Sequence, residues 1–125
     1  MTTGADAVRL SVPASLENMR IVRLTVSGVA SRLGFDVDEI ENLRIAVDEL
    51  ASVVVDESVD GMLEISFVAN GADLQIEGRA PLAPGADLTV DELSAQILNA
   101  VCDKYEVRAD GGGARFLCVR RLPSI

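Results

Sequence analysis

The stretch from Asp38 to Glu57 constrains this chain more than any other. It reads DEIENLRIAVDELASVVVDE. Ile40, Leu43, Val47, Leu50 and Val54 recur at the i, i+3, i+4, i+7 spacing of a helix with one apolar stripe. Such a helix holds its shape only by burying that stripe against another layer. At about 100° per residue, Glu49 and Val53 fall together on a face beside the stripe. Asp36 or Asp38 can cap the start, and Glu39 and Glu41 sit near the positive end of the helix dipole.

The flanking segments supply that other layer. Val8 to Val12 alternates apolar and polar, as a half-buried strand does, and Pro13 ends it. Ser15 can cap a helix running to about Leu33, with Met19, Val22, Val26, Val29, Ala30 and Leu33 in one stripe. Ile21, Leu24 and Gly28 lie on its other face. They read either as the scattered apolar residues normal on a surface or as a protein interface, rimmed by Arg20, Arg23 and Arg32. Gly34 suits a left-handed helix cap.

Met62 to Ala69 and Asp73 to Arg79 read as strands joined at Asn70-Gly71, a hairpin signal. Ala80 to Asp87 is a loop with two prolines and a glycine. Asp87 or Thr89 can cap a third helix to about Asp103, with Leu93, Ile97, Leu98 and Val101 inward. Lys104 to Ala109 and Ala114 to Leu122 are strands about the Gly111 to Gly113 turn. A glycine cluster there is more often a turn than a phosphate cradle.

The expected order is therefore β-α-α-β-β-α-β-β. It predicts an α+β fold, a two-layer α/β sandwich whose mixed, mostly antiparallel sheet is covered on one face by three helices. At 125 residues, 49% of them hydrophobic, the chain is expected to form one domain over 1–125, with 1–7 fraying.

Charge and composition exclude several functions. With 11 Lys and Arg against 20 Asp and Glu, a basic face for nucleic acid is not easily assembled. The net charge of −9 suits a basic protein partner, or simply keeps the chain soluble. No apolar run reaches the roughly 20 residues that span a bilayer, and no signal peptide is evident, so the expected location is the cytoplasm. The chain has no His, which removes the commonest general base and zinc ligand. Cys102 and Cys118 form no CxxC pair and read as buried, inert thiols.

Two regions carry a family resemblance. LRIAVDELASVVVD is similar to the nucleotide-box helix of the histidine-kinase-like (GHKL, or Bergerat-fold) ATPases, pattern L-x-[IL]-A-V-x-E-[AL]-x-x-N. Leu43, Ile45, Ala46, Val47, Glu49 and Leu50 fit it. ILNAVCDKYEVRADGGGARFLCVRRL resembles the same family's ending. The branch most resembled is the small bacterial anti-sigma factors that are also serine kinases, and the element order agrees over nearly the whole chain.

The resemblance implies an ATP site, and the sequence departs from it at each further contact. Glu49 stands where the family has the residue that acts as base or positions the attacking group. Val53 stands where the family has the Asn that ligates the phosphate-bridging Mg²⁺, and valine offers no oxygen to a hard cation. Gly78 falls at the adenine-binding Asp and Ala80 at the first glycine of the following turn. A shift of one residue puts Glu77 at the Asp but Arg79 at the glycine. Ser94 takes the last glycine of the phosphate-binding turn, just after Asp91 and Glu92. Ala114 takes a Thr hydroxyl's place. Each lost contact costs about 1–3 kcal/mol in a buried site, and each 1.4 kcal/mol is about tenfold in affinity.

The expected function is that of an anti-sigma-factor-like regulator with a vestigial pocket at Glu49, Val53, Gly78, Ala80, Ser94 and Ala114. It needs no cofactor or metal and binds a sigma factor, a STAS-type anti-anti-sigma partner, or both. Arg20, Ile21, Arg23 and Leu24, with strand Val8 to Val12, are the expected contact residues, and a homodimer is compatible with the resemblance. Two alternatives stay open: a divergent serine kinase using Mg-ATP and Glu49 on a STAS antagonist, and a partner-switch scaffold that only pairs with a homologue.

Overall fold

A computed structural model describes residues 7–111 and 113–123. The fraying expected over 1–7 lies, but for its last residue, outside the described residues, as does Gly112 of the glycine turn. The elements are β1 (Val8–Pro13), a 3-10 turn (Leu16–Asn18), α1 (Met19–Arg32), α2 (Val37–Asp56), β2 (Met62–Asn70), β3 (Asp73–Pro81), α3 (Glu92–Val101), β4 (Lys104–Asp110) and β5 (Gly113–Arg121). The fold is α+β, in the predicted order.

The sheet runs β1-β2-β3-β5-β4. Every neighbouring pair is antiparallel, where a mixed, mostly antiparallel sheet had been expected. The reason is the placement of β4. The α3 connection carries it past β3 to the outside of β5, so β3 and β5 become antiparallel neighbours and no parallel pair arises.

Strand alternation separates the two faces. Leu63, Ile65, Phe67, Leu74, Ile76, Phe116 and Cys118 are buried beneath the helices. Glu64, Ser66, Gln75, Glu77, Arg79 and Arg115 occupy the other face. There the Arg115 guanidinium pairs with the Glu77 carboxylate, its Nε donating to Oε2 at 2.9 Å.

The stripe of α2 is the centre of the helix layer. Leu43, Val47, Leu50 and Val54 are essentially inaccessible, each contributing about 1.5–3 kcal/mol by leaving water. Asp36 caps the helix through a full capping box. Its carboxylate accepts from Glu39 N at 2.8 Å, and Glu39 Oε1 accepts from Asp36 N at 3.1 Å. On α1, Met19, Val22, Val26, Val29 and Ala30 face the core as the spacing predicted. Ser15 caps the 3-10 turn rather than α1 itself.

α1 ends in a Schellman motif. Gly34 has φ 91°, Gly34 N donates to Ser31 O and Phe35 N to Ala30 O, both at 3.1 Å. Phe35, the residue after the glycine, is buried beside the helix end. At the β2–β3 hairpin the turn residues are Gly71 and Ala72, between the paired Asn70 and Asp73. Gly71 has φ 64° and Ala72 does not have positive φ. That combination suits a type II′ turn, which needs glycine only at its first central position.

α3 departs from expectation at both ends. Asp91, not Asp87 or Thr89, is the cap, its carboxylate accepting from Ser94 N at 2.7 Å. The helix stops at Val101 rather than Asp103. Leu93, expected inward, is 67% exposed. It lies five residues before the fully buried Leu98, which at 100° per residue turns it about 140° away from the core.

Candidate functional site

The capping box and buried stripe of α2 fix its rotation, and that rotation aims Glu49 and Val53 at the loop before α3. Asp56 follows two turns after Glu49 on the same face. The α3 cap at Asp91 places Ser94 one turn into that helix. Ser94 Oγ donates to Glu49 Oε1 at 2.7 Å, joining the two helices.

Around this contact is a cleft of about 260 Å³. Glu49, Ser52, Val53 and Asp56 of α2, the adjoining Glu57, and Asp87, Thr89, Asp91 and Ser94 line it. Five of these side chains are carboxylates and none is a cation. The donor set does not suit a nucleotide triphosphate. Its phosphates would meet five carboxylates and no cation, with only the hydroxyls of Ser52, Thr89 and Ser94 as side-chain donors. Val53 supplies no metal ligand, and Glu49 already accepts the Ser94 hydroxyl. Among the described residues no group of three or more acidic, Cys or His side chains is arranged to hold a metal ion.

The six residues of the expected vestigial pocket divide between two places. Glu49, Val53 and Ser94 meet in the cleft. Gly78, Ala80 and Ala114 lie in the buried helix-side face of the sheet, and none of them lines the cleft. Gly78 is opposite Phe116 in the register, and a Cβ there would overlap the Phe116 ring. Packing therefore requires this glycine. Ala80 and Ala114 are also register partners. Glu77, the alternative adenine contact, projects from the opposite face, against Arg115.

The expected contact residues on α1 also divide. Ile21 and Leu24 are 44% and 67% exposed, and Arg20 is exposed beside them. Arg23 is tied down, its Nη1 donating to Asp48 Oδ1 at 2.8 Å across α1 and α2. β1 is an edge strand with Arg9 and Ser11 exposed.

Sequence reasoning missed Asp48, Asp56, Glu57 and Asp87. A signal existed for Asp56, which stands seven positions after Glu49 and so on its face. None existed for Asp87, whose loop conformation no periodicity encodes. The cysteines also differ from expectation. Cys118 is buried, but Cys102 is only half-buried at the end of α3 and the two sulfurs are 3.6 Å apart.

No family model matches the chain. Curated relatives do. Serine-protein kinase RsbW of Bacillus velezensis is 47% identical over 136 aligned positions, covering 90% of this chain and 84% of the relative. Serine-protein kinase RsbW of Halalkalibacterium halodurans is 33% identical over 127 positions, covering 86% and 78%. Among solved structures, the RsbU and RsbW domains of a Mycobacterium tuberculosis protein superpose with a TM-score of 0.69 over 93% of this chain and 32% of that longer one. At 13% identity that likeness speaks for the fold alone.

Proposed function

The chain belongs to the serine-protein kinase RsbW family, and from that premise we propose that it works as an anti-sigma-type regulator by protein binding, without ATP. The observation carrying this reading is the cleft at Glu49. Five carboxylates line it, valine stands at the metal-ligand position, and the one matching acidic residue is engaged by Ser94. A protein that grips a partner through an exposed surface needs none of the missing contacts. The partner is a sigma factor or a STAS-type antagonist. Arg20, Ile21 and Leu24 of α1 form its contact, with the exposed side of β1 adjacent.

Calorimetric titration with Mg-ATP and Mg-ADP tests the first half. No heat and no thermal shift at millimolar nucleotide is the expected result, and micromolar binding overturns it. Co-purification with a sigma factor of the source organism tests the second half. Complex formation that survives charge reversal at Arg20 and loss of Leu24 would remove α1 from the interface.

A second reading rests on Glu49 itself, which keeps its family position and contacts a hydroxyl at 2.7 Å. In that reading the chain is a divergent serine kinase. Nucleotide-dependent phosphate transfer to a STAS protein, abolished by Glu49→Gln, would establish it.

A further inference from the structure

The α3–β4 junction is fastened to β5 by several bonds. Asp103 N donates to Val119 O at 3.0 Å. Arg121 N donates to Asp103 Oδ2 at 2.7 Å, and Arg120 Nη1 to Val101 O at 3.0 Å. Within this clamp Cys102 Sγ and Cys118 Sγ stand 3.6 Å apart. The two thiols differ in access. Cys118 is fully buried on β5, between Ile76 of β3 and Tyr105 of β4 in the register. Cys102 follows the last residue of α3 and is half-buried.

We propose that Cys102 and Cys118 form a thiol-oxidation site, in which hydrogen peroxide oxidises Cys102 and Cys118 then closes an intramolecular disulfide. In the first step the Cys102 sulfur attacks one peroxide oxygen. The O–O bond breaks, Cys102 becomes a sulfenic acid, and the other oxygen leaves as water with the thiol proton. In the second step Cys118 sulfur attacks the Cys102 sulfur. The S–S bond forms, the S–OH bond breaks, and hydroxide takes the Cys118 proton to leave as water. Two thiols and one hydrogen peroxide give one disulfide and two waters, with sulfur oxidised and peroxide oxygen reduced by two electrons.

The geometry sets these roles. Cys102 is the less buried of the two and so the one a solute meets first, and Cys118 stands 3.6 Å from it, next to the sulfenic acid once it forms. Closing the gap to about 2 Å asks for a rotation at the helix end rather than movement of a central strand. The electrostatics agree. The hydrogen bond with Cys118 lowers the Cys102 pKa, burial opposes this, Arg120 assists it and Asp103 opposes it. The bond would fix the C-terminal end of α3 to β5, while Ser94 at its other end holds Glu49. One wall of the cleft would then be fastened at both ends.

The test treats the whole folded chain with hydrogen peroxide, removes the peroxide, unfolds the chain in denaturant to count free thiols with a maleimide, and maps peptides by mass spectrometry. Both thiols should vanish together, with loss of two hydrogens from a single chain and a mapped 102–118 link that dithiothreitol reverses. In Cys118→Ala, a dimedone adduct should accumulate on Cys102. In Cys102→Ala, Cys118 should stay unmodified through the same exposure. A link between chains overturns the proposal. So does Cys102 passing to sulfinic acid while wild-type Cys118 stays free, or survival of both thiols under peroxide that oxidises free cysteine. The wild-type map decides the matter even where a variant fails to fold.

Discussion

Ser94 Oγ on α3 donates to Glu49 Oε1 on α2 at 2.7 Å, from forty-five positions away in sequence. It is a tie between the two walls of the cleft, and both groups are half-buried. Ser94→Ala should lower stability by about 0.5–1.5 kcal/mol, the net worth of such a bond. A denaturant series on Ser94→Ala, Glu49→Gln and the double variant checks this. Additive effects would mean the contact contributes nothing in solution.

Gly78 is buried opposite Phe116. Gly78→Ala forces a methyl group into the space the ring fills. Overpacking of this kind costs about 1–3 kcal/mol, and the melting temperature should fall accordingly. Adding Phe116→Leu should recover part of the loss. If Gly78→Ala melts like the wild type, packing is not what requires glycine there.

The contrast between Gly78 and Glu49 shows what the sequence made legible. Helix periodicity reports burial, so the stripes of α1 and α2 and the two-layer architecture were readable. Asp36, Glu39 and Gly34 announced their helix ends because capping is local chemistry. Motif alignment, by contrast, assigns roles by counting along the chain. It grouped Gly78, Ala80 and Ala114 with Glu49, whereas strand alternation sends all three into the packed sheet face. Leu93, expected inward, is exposed. Its side is set by where α3 begins, and the choice among Asp87, Thr89 and Asp91 as cap depends on a loop held by tertiary bonds, such as that of Ala83 N to Glu57 O.

Arg23 and Asp48 join α1 to α2, with side chains 37% and 40% exposed. A pair this wet is worth about 0.2–1 kcal/mol, and less in high salt. Asp48→Ala should therefore leave the fold nearly as stable as before while freeing Arg23. Arg20→Glu should weaken partner binding more than Asp48→Ala does, measured by calorimetry against the purified partner. Equal losses would mean the pair itself belongs to the contact.

Cys118 carries a pH signature. The hydrogen bond with Cys102, and then burial, hold its pKa well above the ordinary 9.0. A raised folded value means the native chain binds this proton more tightly than the unfolded chain. Its stabilising contribution is thus complete below the ordinary thiol pKa and fades as pH climbs toward the folded value. Stability should decline less steeply above that ordinary value in Cys118→Ala than in the wild type. Cys102 is shifted the other way, so iodoacetamide should reach it first as pH rises. Equal alkylation of both thiols in the folded chain would contradict this ordering.

Val53→Asn restores the oxygen that the family pattern has at this position. If the missing metal ligand alone separates this chain from nucleotide binding, that one change should produce heat with Mg-ATP. The cleft argues otherwise, because Asp56, Glu57, Asp87 and Asp91 remain and Ser94 still holds Glu49. A phosphate charge held about 4 Å from one of these carboxylates near the protein surface is repelled by about 4 kcal/mol, roughly a thousandfold in affinity. Val53→Asn alone should therefore remain silent at millimolar Mg-ATP. Adding Asp87→Asn and Asp91→Asn removes two of the charges, and asparagine still caps α3. That triple variant should begin to bind. Micromolar binding by the single variant would show that charge was never the obstacle.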